Sequence, residues 1–92
     1  MASFEGPALR QALNGISGIL VTPFDAEDRV TAAPLQPVVD RAVAAGVQVL
    51  VANGNTSEFY GLQAAEAERA VAIAADCVAA RVPLVAGVGR SI

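Results

Sequence analysis

Three short apolar runs, Gly18-Ile19-Leu20-Val21, Val47-Gln48-Val49-Leu50-Val51-Ala52 and Leu84-Val85-Ala86-Gly87-Val88, alternate with two longer segments of helical periodicity, and this alternation restricts the fold more than any other feature. Short, nearly continuous apolar runs closed by turn residues such as Thr22-Pro23 predict strands buried on both faces. After Thr31 the apolar positions fall at Leu35, Val38, Val39, Ala42 and Val43, one face of a helix that Gly46 ends. Pro37 removes a backbone donor near its first turn and is expected to bend or delay the start. A second helix is expected over 64–80, with Ala67, Val71, Ala74, Ala75 and Val78 on the apolar face, Glu66, Arg69 and Asp76 turned away, and Arg81-Val82-Pro83 as the break. Crossovers of this length require parallel strands joined by right-handed connections, so the chain reads as α/β.

Residues 1–14 read as an amino-terminal extension with one short helix, Pro7 to Leu13, closed by Asn14-Gly15. The other residues, 15–92, form the domain. Hydrophobic residues make up 54% of the 92, enough to drive folding and exclude the disordered class. All six positive residues are arginines, and neither Lys nor His occurs. The chain therefore offers no side-chain amine for imine chemistry and no imidazole base. A net charge of -3 with no basic stripe argues against nucleic acid as a partner. No apolar run reaches the roughly 18–20 residues a membrane helix needs, and no secretory signal is visible, which makes the cytoplasm the default setting. Cys77, the single cysteine, has no intrachain partner and is expected as a small buried thiol beside the second helix's apolar face.

Parallel strands deliver their following loops to one edge of the sheet, where ligands gather. Three loops meet there, beginning at Thr22-Pro23, at Asn53 to Glu58 and at Gly89-Arg90-Ser91. The middle one, Asn53-Gly54-Asn55-Thr56-Ser57-Glu58, places six glycine or hydrogen-bonding positions directly after an apolar strand. Two readings fit: a turn whose polar side chains satisfy their own backbone, or a cradle of side-chain and backbone donors for a small carboxylate. Glu58 is read as an anchor for loop N–H groups in preference to a base, and Tyr60 either presents its hydroxyl to the site or packs on Phe59. Gly87 to Ile92 resembles the start of a dinucleotide fingerprint, but Ile holds the sixth position and no ribose-binding acid follows. Arg90 reads as a solvated charge or an anion contact. Asp25, Glu27 and Asp28 form an acidic turn, read as solvated and not as a metal centre.

Taken in order, Gly15 to Phe24 (GISGILVTPF), the acidic turn with Val30-Thr31, Ala45-Gly46-Val47, Gly54 to Tyr60 (GNTSEFY) with Leu62, and Arg81 to Gly89 (RVPLVAGVG) resemble the amino-terminal third of the dihydrodipicolinate synthase and N-acetylneuraminate lyase family. The resemblance implies a (β/α)8 TIM barrel, of which these residues would be the first three strands and two helices. It further implies a class I lyase, aldolase or dehydratase that binds pyruvate or another 2-oxo acid as an imine on a lysine of a later strand. No cofactor or metal is called for, and the full-length enzyme would be a homo-oligomer. Gly54, Asn55 and Thr56 correspond to the family's substrate-binding loop, with Thr22, Ser57 and Tyr60 as neighbours of the site. Asn55 stands where the family has a hydroxyl, and an amide can donate to a carboxylate but cannot relay a proton as a hydroxyl does. The difference favours a lyase, aldolase or sugar-acid dehydratase over strict dihydrodipicolinate synthase activity. With no lysine among them, the 92 residues are expected to be a catalytically incomplete part of a longer chain. The rival is a non-catalytic, flavodoxin-like α/β binding module.

Overall fold

A computed structural model of the protein describes residues 5–88. A short helix α1 (Gly6–Leu13) precedes β1 (Ser17–Ile19), α2 (Leu35–Ala44), β2 (Val49–Ala52), α3 (Ala64–Val78) and β3 (Leu84–Ala86). The loop expected at Gly89-Arg90-Ser91, with Arg90, lies outside the described residues.

The three strands form one parallel sheet in the order β1-β2-β3, with Gly18 beside Leu50 and Leu50 beside Leu84. A flavodoxin-like sheet would place the first strand between the second and third. Here β2 is central, as sequential βα units require when a sheet curls toward a barrel.

Helices α2 and α3 pack on each other beside the sheet. Leu20, Leu35, Val39, Leu50, Ile73, Ala74, Cys77 and Val78 form the core between them. The register puts Ile19, Val51 and Val85 in a second row, one residue from the Gly18–Leu50–Leu84 row and therefore on the opposite face. That face has no second layer among the described residues: Ile19 is 51% and Val85 40% exposed. The expectation that all three strands are buried on both faces holds for β2 and fails for β1 and β3. Three strands are too few to close on themselves and bury their inner row.

The boundaries follow local chemistry. Helix α2 begins at Leu35, with Pro37 in the first turn, where its missing N–H costs nothing. It ends in a Schellman motif: the Gly46 N–H donates to Val43 O, the Val47 N–H donates to Ala42 O, and Gly46 takes φ 92°. Gln63 and Glu66 cap α3 reciprocally, the Glu66 carboxylate accepting the Gln63 N–H at 2.8 Å.

Three expectations about the helices need correction. The buried face of α3 is Ala70, Ile73, Ala74, Cys77 and Val78, while Ala75 is exposed and Ala67 and Val71 are half-buried. On α2, Val38 is 45% exposed. Alanines lie all round α3, so the branched Ile73 and Val78, not the alanine count, set its orientation. Helix α3 also stops at Val78, short of Ala80, because Ala79 and Ala80 take left-handed φ values of 52° and 58°. Arg81 folds back over this end, donating to Val78 O (3.0 Å), Cys77 O (2.7 Å) and Asp40 Oδ1 (2.7 Å).

Candidate functional site

Both described loops at the carboxyl edge are fastened to neighbouring elements. After β1 the chain passes Leu20, whose N–H donates to Val51 O at 2.9 Å, and reaches Thr22. After β2 the sheet stops at Asn53, held in left-handed backbone at φ 56°, a conformation Asn tolerates better than most residues. Its side chain is buried and donates from Nδ2 to Ala67 O at 3.0 Å, fastening the loop to α3. Its Oδ1 is buried without a hydrogen-bond partner among the described residues. Gly87 packs directly on the Asn53 carbonyl, where a Cβ would sit 2.1 Å from the oxygen.

Residues Asn55–Ser57 then form a single 3-10 turn. Gly54 enters it in extended backbone with Ile19 close by, a hypothetical Cβ meeting Ile19 Cγ2 at 2.8 Å. Asn55 and Thr56 are exposed, whereas Ser57 is 1% exposed. Ser57 uses every polar group it has: its N–H donates to Gly54 O at 3.0 Å, its hydroxyl donates to Leu20 O, and its carbonyl accepts the Thr22 hydroxyl. Thr22 and Ser57 are thus brought together, but as a link between loops and not as free donors. The arrangement leaves two residues with donor side chains, Asn55 and Thr56, facing solvent between two buried polar anchors, Asn53 and Ser57.

Glu58 departs from expectation, whereas Tyr60 takes the second of its two expected placements. The Glu58 carboxylate anchors no N–H among the described residues; instead the backbone turns left-handed there at φ 63°, and the Glu58 carbonyl accepts the Gly61 N–H at 3.0 Å. Tyr60 packs on Phe59, ring centroids 5.4 Å apart and planes at 50°, and is 64% exposed. It lines a mostly apolar cavity of about 450 Å³ with Asn53, Phe59, Leu62, Val71 and Gly87, to which Asn55 and Thr56 do not contribute. The buried anchor Asn53 was legible only as one more polar residue of the loop; its place at the strand end, where left-handed backbone favours Asn, is the signal that singles it out.

Asp25, Asp40 and Cys77 serve structure. Asp25 Oδ1 accepts the N–H groups of Glu27 and Arg29, which closes the acidic turn, and the Arg29 N–H is the main cause holding the Asp25 carboxyl below its ordinary value. The Arg81 guanidinium, then the Gln36 amide, lower Asp40 in the same way. Burial, reinforced by Asp76 and Asp40, pushes the Cys77 thiol up, so it stays protonated and unreactive near neutrality.

Against known proteins, residues 12–91 match the family described as the Dihydrodipicolinate synthetase family. The 4-hydroxy-tetrahydrodipicolinate synthase of Salinibacter ruber is 35% identical over 77 residues, 84% of this chain and 26% of that protein. The crystal structure of dihydrodipicolinate synthase from Bacillus clausii superposes with a TM-score of 0.78 at 41% identity, over 88% of this chain and 28% of that one. A prophage protein of the dihydrodipicolinic acid synthase family from E. coli K12, solved in complex with pyruvate, gives a TM-score of 0.75 at 32% identity, over 79% of this chain and 24% of that one. The chain thus spans about a quarter of the length of the relatives it matches. Its sheet corresponds to the amino-terminal β-α-β-α-β portion of their TIM barrels. The chain belongs to the dihydrodipicolinate synthetase family.

Proposed function

We propose that Gly54, Asn55 and Thr56 form the carboxylate cradle of a class I lyase, aldolase or sugar-acid dehydratase that acts on pyruvate or a related 2-oxo acid. The observation that carries this reading is the exposed Asn55-Thr56 pair, held between buried anchors at the carboxyl end of the central strand. Two side-chain donors and the glycine-flanked backbone can meet both oxygens of a carboxylate, and charge-assisted bonds of this kind are about twice as strong as neutral ones. The pyruvate complex of the E. coli relative supports a 2-oxo acid as the ligand class.

The chemistry then divides between segments. The cradle fixes the carboxylate and so points the adjacent carbonyl carbon at an amine, whose attack expels water and leaves an iminium that withdraws electrons from the neighbouring carbon. These 92 residues contain no lysine, so the amine belongs to a lysine outside them, and the residues alone form no specific imine. Asn55 supplies a donor without a transferable hydroxyl proton, which leaves the proton relay to other groups. On this reading residues 15–92 are the first three strands and two helices of the barrel, residues 1–14 are an extension, and the complete enzyme is a cytoplasmic homo-oligomer.

Thr56→Val, made in a protein that carries this segment together with the imine-forming lysine, tests the assignment. Loss of one charge-assisted donor raises the Michaelis constant for the oxo acid by roughly 5- to 150-fold, the equivalent of about 1–3 kcal/mol. An unchanged constant removes the loop from the site.

A further inference from the structure

We infer that Thr22 and Ser57 are positioning residues, a latch between the first two loops that holds Asn55 and Thr56 in place before any ligand arrives. The inference rests on the proposed reading of Gly54–Thr56 as a carboxylate cradle and adds what keeps that cradle rigid. Four hydrogen bonds close a ring across the sheet edge. Val51 O of β2 accepts the Leu20 N–H, Leu20 O accepts the Ser57 hydroxyl, Gly54 O accepts the Ser57 N–H, and Ser57 O accepts the Thr22 hydroxyl. The Gly54–Ser57 turn therefore cannot tilt without breaking a bond to the neighbouring loop.

Two of the four bonds depend on side chains whose partners lie 35 and 37 residues away in sequence, so they are tertiary and not part of the turn's own geometry. Ser57 is 1% exposed and Thr22 is partly buried, and each hydroxyl is committed as a donor to a carbonyl. Neither is a free donor to a ligand; their contribution is to remove the ordering cost that a loose loop would meet on binding. The opposite end of the loop is fastened separately, by Asn53 Nδ2 to Ala67 O, so releasing the latch frees only the half that carries Thr56.

The test uses the 92-residue chain labelled with 15N, together with Thr22→Val, which removes the hydroxyl at nearly constant shape, and Thr22→Ser, which keeps it. Without ligand, Thr22→Val shifts the amide signals of Asn55 and Thr56 and speeds exchange of the Ser57 amide about tenfold, as loss of one buried bond requires, while Thr22→Ser behaves as the parent does. In the unmutated chain the hydroxyl protons of Thr22 and Ser57 are protected from exchange with water. The inference is overturned if Thr22→Val moves only its immediate neighbours, if Thr22→Ser behaves as Thr22→Val does, or if both hydroxyl protons exchange as freely as solvated ones. This last measurement decides the matter should Thr22→Val fail to fold. A separate titration with sodium pyruvate, in a protein that carries this segment together with the imine-forming lysine, reads the cradle: no effect at Asn55 and Thr56 there refutes the cradle while leaving the ligand-free latch result standing. Where pyruvate does bind, Thr22→Val weakens it about tenfold and Thr22→Ser restores it.

Discussion

Replacing Gly87 by alanine places a methyl carbon 2.1 Å from Asn53 O and 3.0 Å from Asn53 C, where ordinary contact begins at 3.4 Å. The obstacle is backbone, and it is held from both sides: the Gly87 N–H donates to Ala52 O at 2.9 Å, and Asn53 Nδ2 holds Ala67 O at 3.0 Å. Neither strand end can recoil without losing a bond, so Gly87→Ala falls at the upper end of overpacking costs, about 3 kcal/mol. Gly54→Ala provides the control. Its new Cβ also comes close, 2.8 Å from Ile19 Cγ2, but that methyl belongs to a side chain 51% exposed that can rotate into solvent, and the backbone at φ -71° accepts any L-residue. The gain from a less flexible unfolded chain offsets part of the strain, and the net change stays within about 1 kcal/mol. With a urea dependence of about 1–3 kcal/mol per molar, Gly87→Ala lowers the midpoint by about 1–3 M and Gly54→Ala by much less. Urea titration followed by far-ultraviolet circular dichroism reads both. Coincident midpoints for the two variants would refute the argument that Asn53 and Gly87 lock the ends of β2 and β3 together.

Ala79→Gly relieves a left-handed alanine at the end of α3 and raises stability by about 1 kcal/mol in the same titration; no gain would mean that the conformation carries no strain. Asp40 titrates below its ordinary 3.8 in the folded chain, chiefly through Arg81 and then Gln36, so its contribution to stability is complete above that value and disappears as the pH falls through the lowered one. Stability measured across that acid range therefore falls less steeply in Arg81→Met than in the parent, and identical slopes would deny the Arg81–Asp40 pairing. Each outer strand of the sheet leaves an edge unpaired among the described residues, and Ile19, Val21 and Val85 are exposed. The 92 residues alone should accordingly associate as their concentration rises; a clean monomer in size-exclusion chromatography at all concentrations contradicts this.

The order of elements was legible because branched aliphatic residues cluster where the chain is buried: Val49 and Leu50 in β2, Leu35 and Val39 in α2. It was less legible wherever burial depends on neighbours beyond the segment. Ile19 and Val85 have strand-like composition equal to that of Val51, yet they are exposed because no second layer among the described residues faces their row. The face of α3 was obscured by alanines of equal hydrophobicity at 67, 70, 74 and 75. At the candidate site the loop's chemistry could be read from its residue types, but the division of labour could not. Asn55 and Thr56 are exposed and Asn53 and Ser57 buried because of partners at Ala67 and Leu20, 14 and 37 residues away, which no local pattern announces.

Borohydride reduction in the presence of pyruvate, followed by peptide mapping, tests the central claim most directly. A protein carrying this segment together with the imine-forming lysine should gain one reduced adduct on a lysine outside these residues, and Thr56→Val should lower its yield at subsaturating pyruvate. The 92 residues alone, with no lysine and no histidine, should show nothing beyond slow, unspecific reaction at the amino terminus. Efficient trapping at an internal residue of this chain would contradict the account. So would a complete protein that resists trapping yet turns over a 2-oxo acid with a metal ion.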